Sequence, residues 1–253
     1  MKKIVSAVIC FLLLAFALQT NAQIKKKVAP KKVITQNKVV AKAKLKVPIK
    51  STVVKIANDN SIKVKITTDS GIIIVKLYDS TPLHRDNFVK LVNDKFYDSL
   101  IFHRVISGFM IQGGDPQSKN APAGAMLGGG GGDMQRIPAE FHPSLFHKKG
   151  ALCAARDGNP EKASSACQFY IVQGNKFADE QLNSMEMQSG RKYTAEQRAA
   201  YKAVGGTPFL DQNYTVFGEV VSGLAVIDKI ASVQKGQADR PIGDVRMKME
   251  VVK

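Results

Sequence analysis

The chain has 253 residues, 44% of them apolar, and a formal net charge of +16, which is enough length for one large or two small domains. Its three cysteines and four scattered histidines include no Cys-x-x-Cys and no His-Glu-x-x-His, which excludes a zinc site of either pattern, and no cofactor is expected. Residues 1–58 carry 13 lysines and no acidic residue; removing them from the total leaves +3 for residues 59–253, so the basicity belongs to one end of the chain.

Residues 1–22 open on Lys2 and Lys3, run apolar from Ile4 to Leu18 and close on Thr-Asn-Ala before Gln23, the pattern of a secretory signal peptide. The 15-residue run is shorter than the ~20 residues that span a bilayer, so an exported protein, periplasmic or secreted, is expected. Cys10 follows Val8 and Ile9, where a lipidated leader would place small residues. Residues 23–58 have neither helical periodicity nor enough apolar surface to fold and read as a lysine-rich disordered arm. The arm reads first as a solvated tether; clustered lysines also hold anionic surfaces by sequence-independent electrostatics, so an anionic envelope surface is the alternative partner. It has no interleaved aromatics for stacking bases, which argues against nucleic acid.

From residue 59 the pattern turns strand-rich. SIKVKITT alternates at period two and GIIIVKLY is a β-branched run opening on Gly71, which predicts adjacent strands with a turn at 69–71. STPLHRDNFVKLVND predicts a helix with Thr81 as its cap, Pro82 in its first turn, and Phe88, Leu91 and Val92 on its apolar face. Short strands are predicted at 100–105, 109–113, 151–155, 168–173 and 214–220, a second helix at 222–231 and a last strand near 244–252. Many short strands with two core helices predict a closed or sandwiched antiparallel sheet.

Two segments break that rhythm. The stretch from Ala121 to Pro143 is too rich in glycine and proline for a regular element and reads as a surface loop; its five consecutive glycines lack the Gly-Lys-Ser/Thr of a phosphate loop. Residues 175–208 are polar and helical, with Thr194 and Gln197 spaced as a capping box and Gly205 and Gly206 as a stop, and read as a helical insertion. Cys153 and Cys167 remain in the mature chain; whether they meet in a disulfide depends on a strand register that sequence leaves open.

Three stretches carry chemistry: FHRVISGFMIQGGD at 102–115, GALCAARD with SSACQFYI between 150 and 171, and FLDQNYTVFGEVVSGLAVIDKI at 209–230. Taken alone, Arg104 reads as an exposed strand residue with a carboxylate partner, and Phe109, Met110 and Tyr170 read as core. In this order, however, the three stretches resemble the cyclophilin-type peptidyl-prolyl isomerases over roughly residues 62–252, outside the insertion. The resemblance implies a mostly β fold, a closed eight-stranded antiparallel β-barrel capped by two α-helices, with its active site on the outer face. With the leader-like residues 1–22, a domain spanning 59–253 is expected to work as a monomer, assisting the folding of exported proteins and binding their proline-containing segments. A binding module or chaperone that uses the same groove, or the arm, without turnover is the alternative.

Carried over residue by residue, the resemblance implies that Arg104 is the catalytic donor and that Gln112 holds both it and the substrate backbone. Phe109, Met110, Tyr170 and Leu210 wall the proline pocket, Ala155, Arg156 and Asp157 meet the residues before proline with Gln168 beside them, and Phe209 and Tyr214 complete the rim. The chain departs from the family at several of these places. Tyr170 stands for the usual phenylalanine, so its hydroxyl needs a partner. Phe209 stands for a common tryptophan, which implies weak inhibition by cyclosporin, and Arg156 stands for the usual asparagine, which favours acidic residues before proline.

Overall fold

The computed structural model describes residues 61–252; the expected signal peptide at 1–22 and arm at 23–58 lie outside them. Eight strands form one sheet: β1 (Lys63–Thr68), β2 (Gly71–Leu77), β3 (Phe102–Ile106), β4 (Met110–Gly113), β5 (Ala151–Ala154), β6 (Phe169–Val172), β7 (Val216–Ser222) and β8 (Met247–Val252). Four α-helices accompany them: α1 (Pro82–Asn93), α2 (Asp179–Ser189), α3 (Ala195–Ala203) and α4 (Leu224–Ala231). All pairings are antiparallel, in the order β3-β4-β6-β5-β7-β2-β1-β8.

The expected closed barrel is corrected to a curled, open half-barrel. The edge strands β3 and β8 share no ladder. Their first residues and those just ahead of them meet, through the bridge Ile101↔Arg246 and the bonds Phe102 N–H to Val245 O (3.0 Å), Met247 N–H to Leu100 O (2.8 Å) and Ser99 N–H to Met247 O (2.9 Å). Beyond that bridge, β3 is met instead by the turn Gln237–Asp239. The concave face holds the main core, with Val64, Ile66, Ile73, Val75, Phe102, Val105, Ile111, Leu152 and Ile171 from the strands. Phe88, Leu91 and Val92 of α1, and Ile227, Ile230 and Ala231 of α4, close it from the two sides as apolar stripes should. Helices α2 and α3 lie within 175–208 and carry a small core of their own, Leu182, Tyr193 and Tyr201 packed with Phe146.

Two local readings resolve differently from each other. Thr194 and Gln197 form the predicted capping box at the start of α3, with Gln197 N–H to Thr194 Oγ1 at 3.2 Å and Thr194 N–H to Gln197 Oε1 at 2.9 Å. Thr81 does not cap α1, because its hydroxyl turns back toward Tyr78 O at 3.4 Å. The first-turn N–H groups of Leu83 and His84 donate instead to Glu140 Oε1 and Oε2, both at 3.0 Å. A carboxylate also suits the positive end of the helix dipole, and no local sequence signal announces a cap 57 residues away. Cys153 and Cys167 are both free and buried.

Candidate active site

The site begins with a bulge. Side chains alternate across a strand, so Phe102 and Arg104 would share a face in a regular ladder. In the register Phe102↔Gly113 and Arg104↔Gln112, His103 is an extra residue with no partner. This bulge keeps Phe102 and Val105 in the core while Arg104 turns to the outer face with its side chain 45% exposed. The outward residues then form one row across five strands: Arg104 opposite Gln112, Gln112 opposite Tyr170, Tyr170 opposite Cys153, and Cys153 opposite Val216. Met110, Tyr170, Val172, Val216 and Ala155 form a second apolar cluster on this outer face, joined by Phe109, Leu210 and Tyr214.

Arg104, Phe109, Met110, Gln112, Ala155, Arg156, Tyr170, Leu210 and Tyr214 line one outer cavity of about 130 Å³. The lining combines polar groups with rings and aliphatic groups, as a small apolar ring with a flanking backbone requires. Arg104 is held loosely: Nε lies 3.9 Å from Asp239 Oδ2 and NH1 lies 3.5 Å from Gln112 Oε1. It therefore has the carboxylate partner of an ordinary strand arginine, yet a guanidinium with five N–H donors keeps capacity toward the cavity. Gln112 Nε2 donates to Gln168 Oε1 at 3.1 Å, and Gln168 Nε2 donates to the carbonyls of Gly128 and Gly130, both at 2.9 Å. A chain of amides thus fixes the polar side from the glycine loop.

Gln168 and Asp157 lie outside this cavity and line a neighbouring one of about 310 Å³, which shares Gln112, Ala155 and Arg156 with the first. The glycine run, a surface loop by its sequence, lines this cavity together with Arg136 and Ser165, to which no motif assigns a role. The loop is packed rather than loose: a Cβ on Gly131 would overlap Cys167 Sγ. Arg136 pairs with Asp157, which occupies that carboxylate. Arg156 donates from Nε to Asn213 O and from NH1 to Asp157 O, both at 2.9 Å, and its guanidinium sits 4.6 Å from the Tyr214 ring centre. Phe209 lines neither cavity; half exposed, it stacks on Phe109 with ring centres 5.8 Å apart.

Tyr170 has the partner its hydroxyl needs, His147 Nε2 at 2.9 Å. Burial raises its pKa well above the phenol range, so it stays neutral. Burial likewise raises the Cys153 thiol, which leaves it un-ionised and poorly suited to act as a nucleophile in this row. The arrangement can hold a ring, bond a backbone and present a fixed positive donor.

A family model described as cyclophilin type peptidyl-prolyl cis-trans isomerase/CLD matches residues 63–251. A Staphylococcus haemolyticus protein provisionally named a peptidyl-prolyl cis-trans isomerase is 37% identical over 188 residues, covering 74% of this chain and 89% of that protein. A similarly named Staphylococcus aureus protein is 34% identical over 192 residues, covering 76% and 91%. Among solved structures, a Cryptosporidium parvum cyclophilin type peptidyl-prolyl cis-trans isomerase superposes with a TM-score of 0.55 at 21% identity, covering 76% of this chain and 98% of that one. The same protein in the presence of the dipeptide Ala-Pro gives 0.54.

Proposed function

The chain belongs to the cyclophilin-type peptidyl-prolyl cis-trans isomerases and is an isomerase enzyme; from that premise we propose how its outer cavity turns an Xaa-Pro bond. Rotation of such a bond must break amide resonance over a barrier of ~18–20 kcal/mol, which takes tens to hundreds of seconds unaided. No nucleophile or acid is needed. Bringing the time to milliseconds requires a factor of about ten thousand, or ~5–6 kcal/mol.

In the twisted amide the nitrogen regains its lone pair, which the planar ground state lacks. Arg104 donates a hydrogen bond to it, stabilising the twisted state selectively from a preorganised and permanently charged group. Phe109, Met110, Leu210 and Tyr170 hold the proline ring, Tyr214 and Phe209 close the rim, and Gln112 bonds the backbone beside it. The residues before proline run along the second cavity past Ala155, Arg156, Asp157 and Gln168. Arg156, on the wall that both cavities share, favours an acidic residue there.

The observation that carries this reading is that one outer cavity gathers Arg104, Gln112 and the ring-holding side chains. A protease-coupled assay on an Xaa-Pro peptide tests it. Arg104→Ala should lower kcat/KM by about 10- to 100-fold, the worth of one hydrogen bond from a charged donor, ~1.5–3 kcal/mol. Equal rates in the two proteins would overturn the assignment.

The leader-like residues 1–22 and the lysine-rich residues 23–58 support a place outside the cytoplasm, periplasmic or released. There the enzyme works as a monomer on proline-containing segments of exported proteins and aids their folding, with the arm against anionic envelope material.

A further inference from the structure

The Tyr170 hydroxyl turns from the cavity that its ring floors and enters a chain of buried polar groups. His147 Nε2 lies 2.9 Å from it, His147 Nδ1 lies 2.8 Å from Asp211 Oδ1, and the Tyr201 hydroxyl donates to Asp211 Oδ2 at 2.6 Å. All four residues are at most 4% exposed. A carboxylate only accepts, so Nδ1 carries the hydrogen of the bond to Asp211, and the Tyr170 hydroxyl bonds the other ring nitrogen. Burial, reinforced by the Asp211 carboxylate, keeps Tyr201 a protonated donor at the other end. Asp211 Oδ1 also accepts from the His147 backbone N–H at 2.9 Å.

The ends of this chain belong to different parts of the fold. Tyr170 is on β6, and Asp211 directly follows Leu210 in the cavity wall, whereas Tyr201 is on α3 of the insertion and does not touch the cavity. The neck of the insertion is clamped to the same place. Thr207 N–H donates to His147 O at 2.8 Å, and Gly206 bridges both Lys148 and Asn175. A Cβ on Gly206 would overlap His147 O, so only glycine passes there. Arg191, also from the insertion, donates to the Asp211 carbonyl.

We propose that Tyr201, Asp211 and His147 are positioning residues through which the 175–208 insertion sets the grip of Tyr170 and Leu210 on the proline ring, and so the affinity for substrate. The proposal rests on the isomerase reading of the cavity. Floor and wall touch the ring in its planar and twisted states alike, so loosening them removes uniform binding. The signature is a rise in KM with kcat retained, the reverse of a change at Arg104.

The test compares wild type, Tyr201→Phe, Tyr170→Phe, their double variant and Leu182→Ala by coupled-protease kinetics, peptide Kd from calorimetry, and thermal melting. Tyr201→Phe should raise KM and Kd about 3- to 10-fold with kcat within about twofold. The double variant should lose no more than the worse single variant, since either change cuts the same chain. Leu182→Ala, in the insertion core but outside the relay, should lower the melting temperature and leave KM unchanged. The proposal falls if Tyr201→Phe leaves KM and Kd unchanged, if the two tyrosine effects add, or if Leu182→Ala raises KM equally. A wild type that binds peptide without turning it over would refute the isomerase mechanism and leave the relay to be judged on Kd; one that does neither refutes both.

Discussion

Arg104 has both of the properties that sequence sets against each other, a carboxylate partner in Asp239 and a place at the mouth of the cavity. What separates them is His103, the bulge residue behind it, which sequence does not mark. His103 is 3% exposed, and neither ring nitrogen has a hydrogen-bond partner among the described residues. Burial pulls its pKa down to about 4, against the Asp115 carboxylate and with the repulsion of Arg104 and Arg240. A folded pKa below the unfolded ~6.5 means that the unfolded chain binds the proton first. Stability is therefore full above about pH 6.5 and is lost as pH falls toward about 4, by roughly 3 kcal/mol at ~1.4 kcal/mol per pK unit. His84 is pushed the same way by burial, against the pull of Glu140. Melting temperatures between pH 7 and pH 4 should fall in wild type and fall less in His103→Asn; parallel curves would contradict this. At this scale the residues whose place was legible are those that a motif brings to the cavity, such as Gln112 and Met110. His147 and Asp211 are not, although Tyr170 in place of phenylalanine announces that some partner must exist.

Elements were legible where periodicity and local chemistry agree. β1 alternates, β2 is a β-branched run, and the two meet through Thr68↔Gly71; the apolar face of α1 is the predicted Phe88, Leu91 and Val92. The capping box of α3 is a four-residue signal and forms as read. The cap of α1 is nonlocal, and that is why Thr81 misleads. Glu140 also holds His84 Nδ1 at 2.6 Å, while His84 Nε2 meets Ser164 Oγ at 2.9 Å, so one carboxylate ties the helix start to the glycine-rich loop. Glu140→Ala orphans two helix N–H groups and one buried imidazole nitrogen and should lower the unfolding free energy by about 2–3 kcal/mol. Thr81→Val, which removes only a hydroxyl with a 3.4 Å bond, should lower it by less than about 1 kcal/mol. Urea unfolding of the two variants measures the difference, and the reverse order would restore Thr81 as the cap.

Whether eight strands close depends on how their two outermost edges meet, which no local pattern encodes; here the bulged start of β3 and the turn Gln237–Asp239 leave β3 and β8 unladdered. Charge distribution, by contrast, is fully legible at the scale of the whole chain. Residues 23–58 hold 11 lysines and no acid, while residues 59–253 carry a formal +3, so the two parts should respond to salt differently. A lysine near an anionic surface contributes ~1 kcal/mol, an attraction that reaches ~10 Å at 0.1 M salt and ~3 Å at 1 M. The chain from Gln23 should therefore cosediment with phosphatidylserine vesicles at about 0.05 M salt and be released by about 1 M. Removal of residues 23–58 should abolish that binding and leave kcat/KM on a soluble proline peptide within about twofold. Vesicle binding that persists unchanged at high salt, or that survives loss of the arm, would assign the attachment to apolar contact or to the folded domain instead.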